Sequence, residues 1–548
     1  MSESATIDPI TLEVVRHKLE GIANEMQSTL LRSSFSPIVK EGLDASASLF
    51  TMAGETLAQA TAIPIHLATL IPVVARMLST FPPETMREGD IYILNDPYHG
   101  GTHLPDIALV MPIFSRGRPI ALSAAMTHHQ DVGGMSPGSV PTTATEIYQE
   151  GVRIPPLKLH DAGQPNQTLL DMLELNVRIP DSFFGDLNAQ IAACKIGGRR
   201  IQALADKHGD NELPAMVDAL LSRSETLMRA GITRIPDGTY HYVDYLDNDG
   251  IDLDKPVRIE VAATVSGDHL SIDFAGTSAQ VRGPFNCVPS GSYAAAYFAL
   301  HALTDPTIPS NGGCFRPVTL TLPQGSIVNP AEPAPVNART STIKRIAGTI
   351  IGALRQANPD DAPADAAGEL LVLAFGGSRT DGSRYVVGEL IASGSGASRG
   401  KDGVDVIETD GSNCMNLPVE AIEMDIPVRV HRSQLRAGSG GAGEFRGGLG
   451  ITREYEILSG DVTFTHRGER HMYPAQGANG GDPGAKGHSE IHRTDGTVEV
   501  IASKMLTTLN AGDRVIVNTA GGGGWGPTKH RDDARTERDR ANGKLSAG

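Results

Sequence analysis

An α+β protein of several domains is what the sequence predicts, with a mixed α/β N-terminal domain followed by β-rich, glycine-rich regions. Three observations carry the prediction. The chain has 548 residues, too many for one compact core. Apolar residues recur at three- and four-residue steps near the start and again over 166–230, with short apolar runs between. The 61 glycines and 35 prolines suit loop-rich connections better than a regular doubly wound sheet.

The elements follow in order. Asp8-Pro9 is a helix start, Asp8 able to cap free N–H groups and Pro9 suited to the first helical position. Leu12, Val15, Leu19, Ile22, Met26 and Leu30 then give an amphipathic helix to about Arg32. A second helix is expected over His66 to Leu78, before Pro82-Pro83. Ile91 to Leu94, Ile107 to Phe114 and Ile120 to Met126 read as buried strands.

After the helical stretch 166–230, Ile235-Pro-Asp-Gly238 marks a boundary. Strands are expected at Tyr240–Tyr245, Val257–Val265 and Leu270–Phe274, and helices near Tyr293–Leu303 and Thr340–Gln356. From about 425 the chain is strand-like and rich in glycine, with candidate strands at Val428–Val430, Ile451–Ile457, Val462–Thr465, Val498–Ile501 and Arg514–Val517. The expected units are therefore 1–234, 235–424 and 425–527, then a charged, disordered tail over 528–548.

Lys+Arg 47 against Asp+Glu 64 leaves a net charge of −17. Such a surface repels phosphate backbones and anionic lipid, so neither nucleic acid nor a membrane is an expected partner. Cys194, Cys287, Cys314 and Cys414 form no C-x-x-C pair, which argues against a zinc finger or a disulfide framework. Without a basic-then-apolar leader or roughly 18 unbroken apolar residues, a cytoplasmic location is the expectation.

Histidine marks the candidate chemistry. The chain has 17, yet His99, His103, His128 and His129 fall in one 31-residue window where an even spread would place about one. Asp96, Asp106 and Asp131 accompany them in Asn95-Asp-Pro-Tyr-His-Gly-Gly-Thr-His-Leu-Pro-Asp106 and Thr127-His-His-Gln-Asp131. Each string begins where an apolar run ends, which puts its polar groups at a sheet edge. Imidazole and carboxylate together suit Zn, Mn or Fe as the divalent ion. His103 and Asp106, three apart, could chelate from one turn while His128 closes the site. Hydrogen-bonded loop residues around two tight glycine turns would produce the same pattern.

Other motifs carry less. Gly394 to Lys401 has outer glycines six apart, and Asp402 stands where a phosphate loop needs Ser or Thr, so a surface loop is expected. Gly438 to Gly450 and Gly521 to Gly524 read as turns between strands, and Cys314 as a small buried residue. Arg339, Lys344 and Arg345 could hold an anionic group or line a solvated helix face.

Taken together, these strings resemble the hydantoinase B family, found with ATP-dependent hydantoinases, oxoprolinases and caprolactamase. The likeness runs from Asp8-Pro-Ile-Thr-Leu-Glu-Val14 to Gly521-Gly-Gly-Gly-Trp-Gly526 and includes Glu41-Gly-Leu-Asp-Ala-Ser46, both His/Asp strings, Asn311 to Pro317, Asn337-Ala-Arg-Thr340 and Phe445-Arg-Gly-Gly-Leu-Gly450. The expected Pro-Trp-Gly is missing from His471-Met-Tyr-Pro-Ala-Gln-Gly477. The resemblance implies metal ligands Asp44, His103, Asp106 and His128, Asp44 being supplied by the resemblance alone. It further implies an ATP-dependent hydrolase of C–N bonds in cyclic amides (hydantoin, 5-oxoproline or a lactam). ATP is then used by a partner of the hydantoinase A type, which phosphorylates the substrate carbonyl oxygen, and water activated at the metal attacks the carbon. An α2β2 heterotetramer is expected. His129 or Asp131 would remove the proton or orient the water, and His99 would touch the substrate or its phosphate. A subunit of an ATP-dependent ketone carboxylase is the alternative, and a non-catalytic scaffold the third.

Overall fold

The computed structural model describes residues 7–209, 212–379 and 381–545. Helix α1 (Pro9–Ser33) starts as expected, with Asp8 accepting from the Thr11 N–H at 2.9 Å. The one-turn helix α2 (Pro37–Lys40) leads into strands β1 (Ala45–Phe50) and β2 (Thr56–Gln59). The second helix, α3, spans only Leu70–Thr80. His66 lies outside it, on a 3-10 turn over Pro64–His66. Ala68, at φ 61°, breaks the helical path between the two.

Strands β3 (Ile91–Leu94), β4 (Asp106–Ser115), β5 (Arg118–His128), β6 (Leu157–Asp161) and β7 (Gln164–Pro165) complete an antiparallel sheet in the order β2-β1-β5-β4-β3-β6-β7. Helices α4 (Gln167–Asn176), α5 (Pro180–His208) and α6 (Glu212–Thr233) follow. One sheet face (Ala45, Ala47, Leu49, Ile107, Leu109, Ala125) joins the core shared with α1 and α5. The other (Phe50, Tyr92, Ala108, Val110, Ala124) packs against Val73, Val74 and Met77 of α3. Alternate residues point to opposite faces, and both faces are covered. Strands β3 and β4 are therefore largely apolar rather than alternating.

The second sheet holds β8 (Gly238–Leu246), β9 (Val257–Ser266), β10 (His269–Asp273) and β11 (Val318–Thr321), and is covered by α7 (Pro289–Leu303) and α9 (Arg339–Arg355), with the single turn α8 (Gly312–Phe315) between them. Its core is continuous with the first: one apolar cluster runs from Val15 to Cys414, so 234/235 is a change of character and not a core boundary.

Strands β12 (Leu371–Ser378) and β13 (Arg384–Ile391), helix α10 (Val419–Asp425), and strands β14 (Val428–Leu435), β15 (Ile451–Ile457), β16 (Val462–Arg467), β17 (His488–His492), β18 (Val498–Ile501), β19 (Lys504–Leu509) and β20 (Arg514–Asn518) form two packed sheets, β13-β12-β16-β19 and β14-β15-β20-β17-β18. The expected boundary at 425 is crossed, because β12 pairs with β16. The tail is a second correction. Instead of disorder it carries helix α11 (Asp533–Ala541), docked by Arg531 on Asp402 at 2.9 Å and by Asp539 beside the buried Arg446 at 3.3 Å. Charge pairing, not apolar burial, holds it.

The glycine strings are turns, as expected, but turns that interlock. The Gly441 N–H donates to Gly522 O at 2.9 Å, Gly522 N–H to Gly448 O at 3.0 Å and Gly448 N–H to Ser395 O at 2.8 Å. A Cβ on Gly447 would sit 1.9 Å from Gly522 O. These amides bond to one another, which is why Gly394 to Lys401 is no phosphate cradle.

Candidate metal centre

Backbone pairing brings the ligand candidates together. Asp106 opens β4 and His128 closes β5, and they are the last cross-strand pair of that ladder. The β1–β5 ladder ends at Ala45↔Thr127, and one step further the His128 N–H donates to Asp44 O at 3.1 Å. A tight turn, with Asp106 N–H donating to His103 O at 3.1 Å, folds His103 over Asp106. Sheet register thus gathers four residues from distant parts of the N-terminal sequence.

His103 Nε2 lies 3.0 Å from Asp106 Oδ1 and 3.1 Å from His128 Nδ1, and His128 Nδ1 is 3.3 Å from Asp106 Oδ1. His128 Nδ1 is 3.9 Å from Asp44 Oδ2 at the rim. Orientation is fixed from behind. His103 Nδ1 donates to the Asn337 carbonyl at 2.8 Å, and a carbonyl only accepts, so the lone pair sits on Nε2 and faces the cluster. Asp106 Oδ2 is taken by the Arg339 guanidinium and the Thr102 hydroxyl, which leaves Oδ1 free. With His128 unprotonated at Nδ1, three lone pairs would converge within 3.3 Å, an arrangement that a cation among them would complete. The donor set therefore fits a divalent ion.

Electrostatics agree. Burial pushes the His103 imidazole down to about 3, with Arg339 adding to the effect, so the ring is neutral as a metal ligand must be. Burial alone would raise the Asp106 carboxyl, but His103 and Arg339 overturn it and hold it well below the usual carboxylate range.

The cluster lines a small cavity of about 40 Å³. Its apolar wall includes Ile38, Ile63, Val140 and Leu390, and its polar wall adds His66, Gln130, Arg339 and Arg467. Sequence reasoning misses His66, which lies outside the histidine-rich window and at the start of a segment expected to be helical. Buried, with Nε2 3.7 Å from Asp44 Oδ1 and 3.6 Å from Asp106 Oδ2, it sits between both carboxylates.

The expected catalytic residues lie elsewhere. His129 follows His128 on extended backbone and so faces the opposite side, where Nε2 meets Gln190 Oε1 at 3.0 Å and the ring packs on Phe183. Asp131 accepts from the N–H groups of Gly133, Gly138 and Arg178 and from the Arg178 guanidinium, which makes it a loop clamp. His99 pairs with Asp96 at 3.2 Å, outside the cavity lining. Neither reading of the three cations on α9 survives intact. All are buried and matched, Arg339 to Asp106, Lys344 to Glu408 and Arg345 to Asp244. Cys314 is buried as expected.

Known proteins share this architecture. Residues 8–528 match the model of the Hydantoinase B/oxoprolinase family. The chain is 35% identical to the beta chain of the caprolactamase of Pseudomonas jessenii, over 99% of this chain and 94% of the relative. It is 33% identical to the B-type chain of a putative D-/L-hydantoinase of Pseudomonas sp. (strain NS671), over 98% and 93%. Against the 5-oxoprolinase of Dictyostelium discoideum it is 31% identical, covering 95% of this chain but only 40% of that longer protein. The crystal structure of the ATP-dependent caprolactamase from Pseudomonas jessenii superposes with TM-score 0.91 at 31% identity, covering 99% of this chain and 95% of that one. An acetone carboxylase structure matches in fold, with TM-score 0.91 at 20% identity over 98% of this chain and 78% of its own. On the family match and these relatives, the chain belongs to the Hydantoinase B/oxoprolinase family.

Proposed function

We propose that this chain is the metal-bearing subunit of an ATP-dependent cyclic-amide hydrolase, acting with an ATP-binding partner of the hydantoinase A type in an α2β2 assembly in the cytoplasm. The observation that carries the reading is the convergence of His103 Nε2, Asp106 Oδ1 and His128 Nδ1 at one wall of an enclosed cavity. Those three atoms, with Asp44 at the rim, would hold Zn, Mn or Fe. Such an ion supplies the Lewis acidity that makes water a competent nucleophile near neutral pH.

The chain's own residues supply the rest. Asn337 and Arg339 fix the aim of His103 and Asp106. Gln130, one of the residues lining the cavity, donates its amide N–H to the Val386 carbonyl, and its Oε1 is a buried acceptor with no partner. A lactam N–H is the donor such an acceptor needs. His66, between two carboxylates, is placed to hold the proton released by water, the role expected from the sequence of His129 or Asp131. The apolar wall suits a ring or aliphatic substrate body. No phosphate-binding loop occurs among the described residues, so ATP use falls to the partner. The carboxylase alternative rests on fold alone.

Co-purified with its ATP-binding partner, the chain should open hydantoin, 5-oxoproline or a lactam with ATP turnover, and neither of the two should do so alone. ATP hydrolysis by the isolated chain, or turnover only with ketone plus bicarbonate, would overturn the proposal.

A further inference from the structure

Arg467 stands out among the charged groups of the cavity. It ends β16, is 3% exposed and lines the cavity. Every other cation near the cluster has a carboxylate: Arg339 has Asp106, Lys344 has Glu408, and Arg345 has Asp244. Arg467 has none within ion-pair distance among the described residues. Its one side-chain partner is Asn337 Oδ1, at 3.3 Å, and its Nε is buried without any.

A guanidinium presents five donors in a planar fork, so most of this one's capacity is unused. Burying it so is costly unless something negative completes it. Arg339 faces the same space and raises the cost. The two guanidinium groups repel, and burial with this repulsion lowers Arg467 to about 10, still protonated at neutral pH. Glu150, the nearest acid to act on it, is spent on the Val336 and Asn337 N–H groups. Asp44 and Asp106 face the histidines and Arg339 instead.

Position adds meaning to the charge. Asn337 receives Arg467 on its side chain, while its carbonyl accepts from His103. Arg467 therefore stands one residue away from a metal-ligand candidate, on the cavity side. It comes from the C-terminal sheets while the ligands come from the N-terminal sheet, so the site is complete only when the two are packed together.

We propose that Arg467 binds an anionic oxygen group of the substrate inside this cavity, as a bidentate fork. The inference rests on the hydrolase reading for the identity of that anion and on geometry alone for its existence. The shared chemistry is a planar or tetrahedral oxyanion, either a carboxylate carried by the ring or the phosphoryl group that activates it.

The test uses the full-length chain, loaded with metal, and calorimetric titration with three probes: inorganic phosphate, 5-oxoproline, and 2-pyrrolidinone, its neutral parent lactam. Binding of phosphate or of 5-oxoproline should weaken roughly tenfold to a hundredfold in Arg467→Met. Arg467→Lys, which keeps the charge but loses the fork, should be intermediate. Metal content should not change in either variant, which a merely structural role for Arg467 would not ensure. Dependence for phosphate alone assigns the phosphoryl group, and dependence for 5-oxoproline but not 2-pyrrolidinone assigns the ring carboxylate. Equal affinity for both anions in wild type and Arg467→Lys overturns the proposal, and that comparison stands even if Arg467→Met fails to fold. If the anions bind through Arg467 while the reconstituted pair opens no cyclic amide, the hydrolase reading falls and the anion site remains.

Discussion

Two adjacent histidines make the sharpest contrast at the scale of single residues. His128 faces the cluster and His129 faces α5, because consecutive residues on extended backbone point to opposite sides. His103→Ala, Asp106→Ala and His128→Ala should each strip the metal, read by elemental analysis of protein purified without chelator. His129→Ala should keep it and lose stability, by about 1–3 kcal/mol for a buried hydrogen bond and ring contact removed. His66→Gln should keep both fold and metal while slowing turnover of the reconstituted pair, on the order of a hundredfold or more. Metal loss in His129→Ala together with retention in His128→Ala would reverse the assignment. The same alternation explains what sequence can show. That His128 or His129 belongs to the site is legible from clustering, but the face of β5 that each occupies decides which one. Asp44 and His66 are isolated in sequence, so clustering cannot find them. Register and a 3-10 turn bring them in.

Among elements, legibility follows the kind of force involved. Helix α1 is readable to within a residue because local capping and a periodic apolar face determine it. Strands β15 and β18 fall at their expected ends. Strands β1, β2, β6, β7, β11, β12, β13, β17 and β19 escape the sequence reading: Ala45–Phe50 reads Ala-Ser-Ala-Ser-Leu-Phe, a short alternation built on small residues without the β-branched and aromatic side chains that mark a strand. Its burial comes from being covered on both faces by elements distant in sequence. Helix α11 escapes it for the opposite reason, since it docks through ion pairs that composition reads as solvation. The interlocked glycine loops give a turn signal but not their purpose. Gly447→Ala tests that purpose, because its Cβ would meet backbone, which cannot swing aside as a side chain can. We expect destabilisation of about 3 kcal/mol or more, seen as a lower unfolding midpoint. Gly496→Ala, with open space around its Cβ, should cost only the strain of its positive φ, about 1–2 kcal/mol. Similar losses at the two positions would mean that the glycine loops do not interlock tightly.

For the whole molecule, the buried ionisable groups away from the metal cluster set a pH window for stability. Burial lowers His466 to about 3 and both His301 and His471 to about 4, against 6.5 when exposed. Between those limits the unfolded chain binds more protons, so stability falls as pH drops below 6.5. Three buried carboxyls act the other way, Glu408 among them, raised to about 7 by burial despite the Lys344 ammonium beside it. Burial raises Glu150 to about 8 and Glu369 to about 7, against 4.5 when exposed, even though each accepts two backbone N–H groups. Their contribution is full below 4.5 and is lost as pH rises through those folded values. Between 4.5 and 6.5 the three histidines and the three carboxyls oppose one another, and above 6.5 only the carboxyls change. The unfolding midpoint should therefore vary little from pH 5 to 6.5 and decline above it, measured by thermal melts at constant ionic strength from pH 5 to 9. Glu150→Gln should make the decline above pH 6.5 shallower and add an upward slope with pH below it, since the group that must ionise anywhere between 4.5 and 8 is gone. A midpoint that keeps rising from pH 6.5 to 9 in the wild type would show that Glu150, Glu369 and Glu408 are already ionised in the fold. The alkaline half of the argument would then fail while the histidine half stood on the acid limb.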